Sequence, residues 1–248
     1  MDPSETTAFA PDAQLLELSD VSIRHAFIQK VYGILGFQLL LTTILGGLVM
    51  QWGAVLAVTN PAALMTMLFG SMAVSIGMMC VFMCCPDTMR RSPTNYILLT
   101  LFTLAESVLV GFICIQYTKE SVLIAMGITA IIVLSLTLFA CQTSYDFTGF
   151  GPYLFCALMC LAGFGFVLMI ASWCGLTGPA FGFARIAYAA GGALLFSMYI
   201  VYDTQLIVGG KHKKRQFCID DYCMAAISLY IDIIQLFLFL VQLLGERK

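Results

Sequence analysis

The sequence predicts an all-α membrane protein, a bundle of seven transmembrane helices. Three observations lead there. Of the 248 residues, 60% are hydrophobic and only 10% are charged, whereas a soluble domain carries roughly 25% charged residues. Several apolar runs reach about 20 residues, the length a helix needs to cross a bilayer core. The runs are continuously apolar rather than alternating, which argues against a β-barrel. One bundle uses nearly the whole chain, so no second domain is expected. Residues 1–30 read as a cytosolic tail with a short amphipathic lead-in, and residues 31–248 as the membrane domain.

The opening MDPSETTAFAPDAQLLELSD is polar and acidic, with Pro3 and Pro11, and reads as a mobile tail. It lacks the basic start and short apolar core of a cleavable signal peptide, so the first apolar helix is expected to target the chain. Residues 21–30 set Val21, Ile23, Phe27 and Ile28 against Arg24, His25, Gln29 and Lys30. That is the pattern of an interfacial segment leading into the first span, with His25 solvated.

Seven apolar segments follow, near 31–52, 62–83, 95–117, 121–141, 152–173, 184–208 and 222–244. Asn60-Pro61, Pro86, Pro93, Gly151-Pro152 and Gly178-Pro179 punctuate the connections. Gly46-Gly47 and Gly191-Gly192 fall inside spans, where small residues let helices approach closely. A net charge of −2 gives no sign of nucleic-acid binding. The ten cysteines mostly sit in apolar runs, as Cys80, Cys114, Cys141, Cys156 and Cys160 do, and act there as small hydrophobes. No CxxC or His-rich pattern marks a metal site. Cys84 and Cys85 lie at a membrane edge, open to S-acylation or simply to packing.

Orientation follows from the basic residues of short loops. If all seven segments cross, one face holds Arg24, Lys30, Arg90, Arg91, Lys211, Lys213, Lys214 and Arg215, and the other Lys119, Arg185, Arg247 and Lys248. Eight against four places the N-terminus and the 209–221 loop in the cytosol. A re-entrant last segment makes the count ten against two, and so competes with a seventh crossing. The continuous apolar stretch from Tyr222 to Leu244 favours the crossing.

Few ionisable residues lie within the spans. Glu106 is near the middle of the third, Asp203 about five residues before the end of the sixth, and Asp232 about ten residues into the seventh. At roughly 1.5 Å per residue, Asp203 is roughly 7 Å and Asp232 roughly 15 Å from the shared cytosolic edge. A charge at membrane depth faces a bundle interior or a water-filled path. Two carboxylates held close in a poorly hydrated site cannot both ionise freely and share a proton. Fully ionised, they are the hard oxygen ligands that Ca²⁺ prefers. Arg90 or Arg91, on the same face, can pair with Asp203 as a latch that protonation releases. The alternative is that both acids only hydrogen-bond Tyr, Ser or Gln neighbours and fix packing. Glu106 is a further candidate along an ion path, without a nameable partner acid. Arg185 reads as an interfacial snorkelling residue. The basic run from Lys211 to Arg215 reads as a topology determinant, or as a site for anionic lipid headgroups. Asp220 and Asp221 suit a helix N-terminus.

The stretches SIRHAFIQKVYGILGFQLLLT, SMYIVYDTQLIVGGKHKKRQFCIDDYC and AAISLYIDIIQLFLFLVQLLG resemble the transmembrane Bax-inhibitor-motif family, most of all its Lifeguard branch and the Golgi anti-apoptotic proteins within it. The resemblance covers roughly residues 21–245. It implies a seven-helix bundle of endoplasmic reticulum or Golgi membranes. It also implies a pH-sensitive Ca²⁺ leak that lowers store content and restrains apoptosis. The family's paired aspartate on the last two helices falls on Asp203 and Asp232. Its latching arginine, at the end of the second helix, falls on Arg90 or Arg91, with CCPDTM intervening here. Glu106 matches no family role.

The leading expectation is therefore a proton-gated Ca²⁺ leak channel. It needs no cofactor; Ca²⁺ is the permeant ion, and the bilayer and H⁺ are the other partners. A second class is a non-conducting scaffold for survival or Ca²⁺-release membrane proteins. A third is an intramembrane aspartyl protease, disfavoured because Asp232 sits in LYID without a Gly-rich context or a Pro-Ala-Leu segment. No lysine lies inside a span to form a retinal Schiff base, and no enzymatic activity is expected.

Overall fold

The structure, a computed structural model, describes residues 11–176, 178–209 and 215–247, with side chains from residue 22 onward. Seven helices follow in order: α1 (Pro11–Thr59), α2 (Pro61–Cys84), α3 (Thr94–Cys114), α4 (Lys119–Gln142), α5 (Gly151–Trp173), α6 (Pro179–Val208) and α7 (Tyr222–Leu244). Short 3₁₀ turns occupy Pro86–Arg90, Phe147–Phe150 and Ile219–Asp221. All seven helices are long and apolar enough to cross a membrane.

The helix starts have local causes. Asn60 caps α2 by accepting a hydrogen bond from the Ala63 amide at 3.1 Å, and Pro61 supplies the first turn, where a missing N–H costs nothing. Thr118 caps α4 through the Ser121 amide. Pro179 opens α6 five residues ahead of the expected 184, supplying its first turn as Pro61 does that of α2. The largest departure is at the N-terminus. Residues 11–30, expected as a mobile tail and an amphipathic lead-in, are helix continuous with the first span. Pro11 stands at the helix start, where proline is tolerated, and no glycine or proline follows until Gly33. Residues 1–10 lie outside those described.

α7 is the axis of the bundle. Its buried positions run round the whole circumference, with Leu229, Tyr230, Asp232, Ile233 and Ile234 all enclosed, as befits a helix that is apolar on every side. α1, α3, α4 and α6 pack around it, while α2 lies outside α3 and α5 outside α6. Close approaches depend on absent side chains. A Cβ on Gly111 would stand 2.6 Å from Val49 Cβ and 2.8 Å from the Gly46 carbonyl oxygen, so α1 and α3 meet backbone to backbone. One on Gly192 would meet the Phe239 ring at 2.5 Å. Of the glycine pairs expected to mediate contacts, Gly46 and Gly192 do so, while Gly47 faces open space.

The ends of α7 settle its path. At its start Asp221 is hydrogen-bonded to Arg90 in the α2–α3 turn. At its end the Glu246 carbonyl accepts from the Thr118 amide at 3.0 Å, and Arg247 forms an isolated antiparallel bridge with Tyr117 in the α3–α4 turn. Those two turns are the opposite ends of α3, so α7 runs the full depth of the bundle. The re-entrant alternative is overturned. Tags at the two chain termini should accordingly be accessible from opposite sides of the membrane in a protease-protection assay. Gly111→Leu, which forces α1 and α3 apart, should destabilise the bundle by about 1–3 kcal/mol, measured by thermal unfolding in detergent. Gly77→Ala, with nothing within 4 Å of the added Cβ, should not lower the transition.

Candidate functional site

The inward face of α6 runs through Ala189, Gly192, Phe196, Ile200, Asp203 and Ile207, a spacing of three or four residues that turns them toward α7. Asp203 is the one acid on that face. Asp232 is carried by a helix enclosed on all sides, so it meets protein whichever way it points. The two are 6% and 5% exposed. Their carboxyl groups lie within hydrogen-bond reach of each other. Tyr199, one turn before Asp203, is close to both. Asp232 Oδ2 is buried and takes no hydrogen bond from a conventional donor among the described residues. Counting residues from the membrane edge leaves the two acids at different depths; the packing of α6 along α7 closes that gap.

Two further side chains fix the end of α6 that carries Asp203. The fully buried Gln205 donates to the Tyr145 carbonyl at 2.9 Å and to the Ala140 carbonyl at 3.4 Å, and accepts from the Phe147 amide at 2.8 Å. This ties α6 to the α4–α5 connection. The last carbonyls of any helix lack partners within it. Here Arg24 of α1 supplies two of them, donating to the carbonyl oxygens of Leu206 at 2.9 Å and Val208 at 3.2 Å, and it also donates to the Phe217 carbonyl of the following loop at 2.8 Å. Gly209, at φ +63°, turns the chain there, and a Cβ on it would collide with Arg24 and Gln216.

The expected latch is not formed. Arg90 does not pair with Asp203. Its Nε and Nη2 donate to the two oxygens of Asp221 at 2.7 and 3.3 Å, with Asp87 at 3.7 Å. The hydrogen bond to Asp221 holds the guanidinium above its ordinary range. Arg91 is exposed and makes no ion pair among the described residues. The physical reason is position: the α2–α3 turn stands over the start of α7, and the end of α6 is covered by Arg24. Lys211, Lys213 and Lys214 lie outside the described residues. Arg215 is exposed, and its amide donates to Thr148 Oγ1 at 3.3 Å.

Glu106 is half-buried beside Ser75 of α2, away from the aspartate pair. Close to Glu106, on the neighbouring face of α3, lies a buried polar network. Gln38 Nε2 donates to Thr103 Oγ1 at 3.0 Å, Ser107 Oγ donates to Thr42 Oγ1 at 3.3 Å, and Thr42 Oγ1 and the Tyr230 hydroxyl are 2.8 Å apart. It joins α1, α3 and α7. Its sequence signal is the four-residue spacing of Gln38 with Thr42 and of Thr103 with Ser107 on otherwise apolar helices. Among the described residues no three His, Cys, Asp or Glu side chains come together as a metal site. Two carboxylates alone supply fewer than the 6–8 oxygens Ca²⁺ takes, so the pair is not by itself a complete Ca²⁺ site.

Arg24→Ala strands the Val208 and Phe217 carbonyls and leaves Leu206 with only the Phe217 amide at 3.1 Å, and should cost about 2 kcal/mol of stability. Arg24→Lys should recover only part, since an ammonium lacks the guanidinium fork. Tyr230→Phe, which removes one hydroxyl from the network, should cost about 1 kcal/mol. Thermal unfolding in detergent reads all three.

Residues 24–248 match the family described as inhibitor of apoptosis-promoting Bax1. The chain is 36% identical to protein lifeguard 3 of Homo sapiens over 240 residues, covering 94% of this chain and 72% of that protein. It is 36% identical to protein lifeguard 3 of Mus musculus, covering 93% and 72%. With protein LIFEGUARD 3 of Arabidopsis thaliana it shares 34% identity, covering 90% and 85%. A match across nearly the whole chain, on a bundle whose two membrane aspartates meet, places it: this multi-pass membrane protein belongs to the Bax inhibitor family, among relatives of the Lifeguard type.

Proposed function

We propose that the chain is a pH-sensitive Ca²⁺ leak channel of endoplasmic reticulum or Golgi membranes, with its N-terminus in the cytosol, and that it restrains apoptosis by lowering store Ca²⁺. The observation that carries this reading is the meeting of Asp203 and Asp232 at the α6–α7 seam, buried and within hydrogen-bond reach. Two such carboxyls need a proton between them to coexist out of water. With the proton present the pair carries one negative charge; without it, two charges repel across the seam and attract a divalent cation. Cytosolic acidity thereby sets both the packing of α6 against α7 and the affinity of the path for Ca²⁺.

The family description supports the survival role. The cytosolic placement of the N-terminus rests on the excess of basic residues at the end of the bundle that holds Arg24, Lys30, Arg90, Arg91 and Arg215. Because Arg90 engages Asp221 rather than Asp203, the gate in this reading is the charge of the pair itself, without a latch on it. The chemistry is passive conduction and needs no catalytic residue.

Purified protein in liposomes loaded with a Ca²⁺ indicator should show a Ca²⁺ flux that varies across a pH series. Asp232→Asn and Asp203→Asn should flatten that dependence. A pH response unchanged in both variants removes the gate, and no flux from the wild type replaces the channel with a non-conducting scaffold.

A further inference from the structure

A groove of about 820 Å³ opens between α1 and α4. These two helices both pack on α7 but hardly on each other, so the gap between them faces sideways, into the bilayer. Its floor is α7, through Ile233, Ile234 and Phe237, and its α4 rim includes Leu123 and Leu134, which are 62% and 65% exposed. The lining is apolar along most of its length. Among the described residues Lys119 is the one charged side chain in it, and it stands at one end, on the first residue of α4. From Lys119 to Leu134 the groove descends along α4 for about 22 Å, against about 15 Å for one leaflet of a hydrocarbon core. It is thus long enough for an extended acyl chain whose headgroup stays at the membrane surface. Glu120 and Glu246 are exposed at the same edge, but neither lines the groove; Arg247 is there too, over the Tyr117 ring.

Apolar walls at membrane depth fill with hydrocarbon, and a lone ammonium at the surface end selects a negative headgroup. We propose that this groove binds an anionic phospholipid from the leaflet on the α3–α4-turn side. The headgroup sits at Lys119, and one acyl chain lies between α1 and α4 against α7. The chain of that lipid touches Ile233, the residue after Asp232. The site is independent of ion conduction and of the aspartate pair.

Full-length protein in phosphatidylcholine liposomes, doped with a phosphatidylglycerol or a phosphatidylcholine carrying a photoreactive group in mid-chain, tests it by peptide mapping after illumination. The phosphatidylglycerol probe should label residues 122–134 and 233–237 in preference to the exposed faces of α2 and α5. Lys119→Gln should lower that labelling about fivefold, the effect of about 1 kcal/mol for one lysine near an anionic surface. Gly47→Leu and Gly127→Leu put side chains into the groove where nothing lies within 4 Å of the new Cβ. Both should abolish labelling at 233–237 while keeping the wild-type melting temperature. Equal labelling by the two probes, unchanged by Lys119→Gln, overturns the headgroup assignment. Labelling of 233–237 that survives both leucine variants overturns the groove.

Discussion

The whole arrangement depends on one constraint: a helix that carries an acid at its middle cannot face lipid. Asp232 lies about ten residues into α7, roughly 15 Å from the start of the helix, and an aspartate side chain is too short to reach the headgroups from there. The helix must therefore be surrounded by protein, and α1, α3, α4 and α6 surround it. Once α7 is enclosed, its acid needs a polar companion from a neighbouring helix. Asp203 stands on the one face of α6 that can supply it. Burial of the axis and the meeting of the two acids are thus one requirement seen at two scales.

Polar groups elsewhere in the bundle obey the same rule by different means. Tyr230 precedes Asp232 by two positions, so it points to another side of α7, where Thr42, Ser107, Gln38 and Thr103 form a hydrogen-bonded layer with α1 and α3. Such a layer fixes the rotation of three helices at once, because any other rotation buries unpaired hydroxyls. Arg24 does the equivalent work at the membrane edge. Its guanidinium is shared among three carbonyls from two chain segments, so α1, the end of α6 and the following loop hold one another.

Much of this is legible in the chain itself. Apolar length alone marks seven crossings, and Asn60-Pro61, Pro152 and Pro179 place helix starts within a few residues because their chemistry acts locally. The two aspartates stand out because charges are scarce in the spans. What sequence does not carry is angular position. Arg24 sits in an amphipathic stretch and meets carbonyls 182 to 193 residues away, which no local pattern announces. Arg90 shares an end of the bundle with Asp203, yet that end has several corners, and the arginine occupies the one beside Asp221. The early start of α1 escapes notice for a different reason: residues 11–20 are polar enough to look like a tail, while nothing in them breaks a helix.

α7 is also held at both extremities. Asp221 is clipped to the turn ahead of α3, and Glu246 and Arg247 are clipped to the turn after it. A rod fastened at top and bottom to the same neighbour can neither piston nor unscrew without breaking one of its fastenings. Rearrangement of this bundle is then a swing of the outer staves, with α2 and α5 the least encumbered, about a stationary spindle. Any opening of the bundle then lies between spindle and staves, at the seam that parts first.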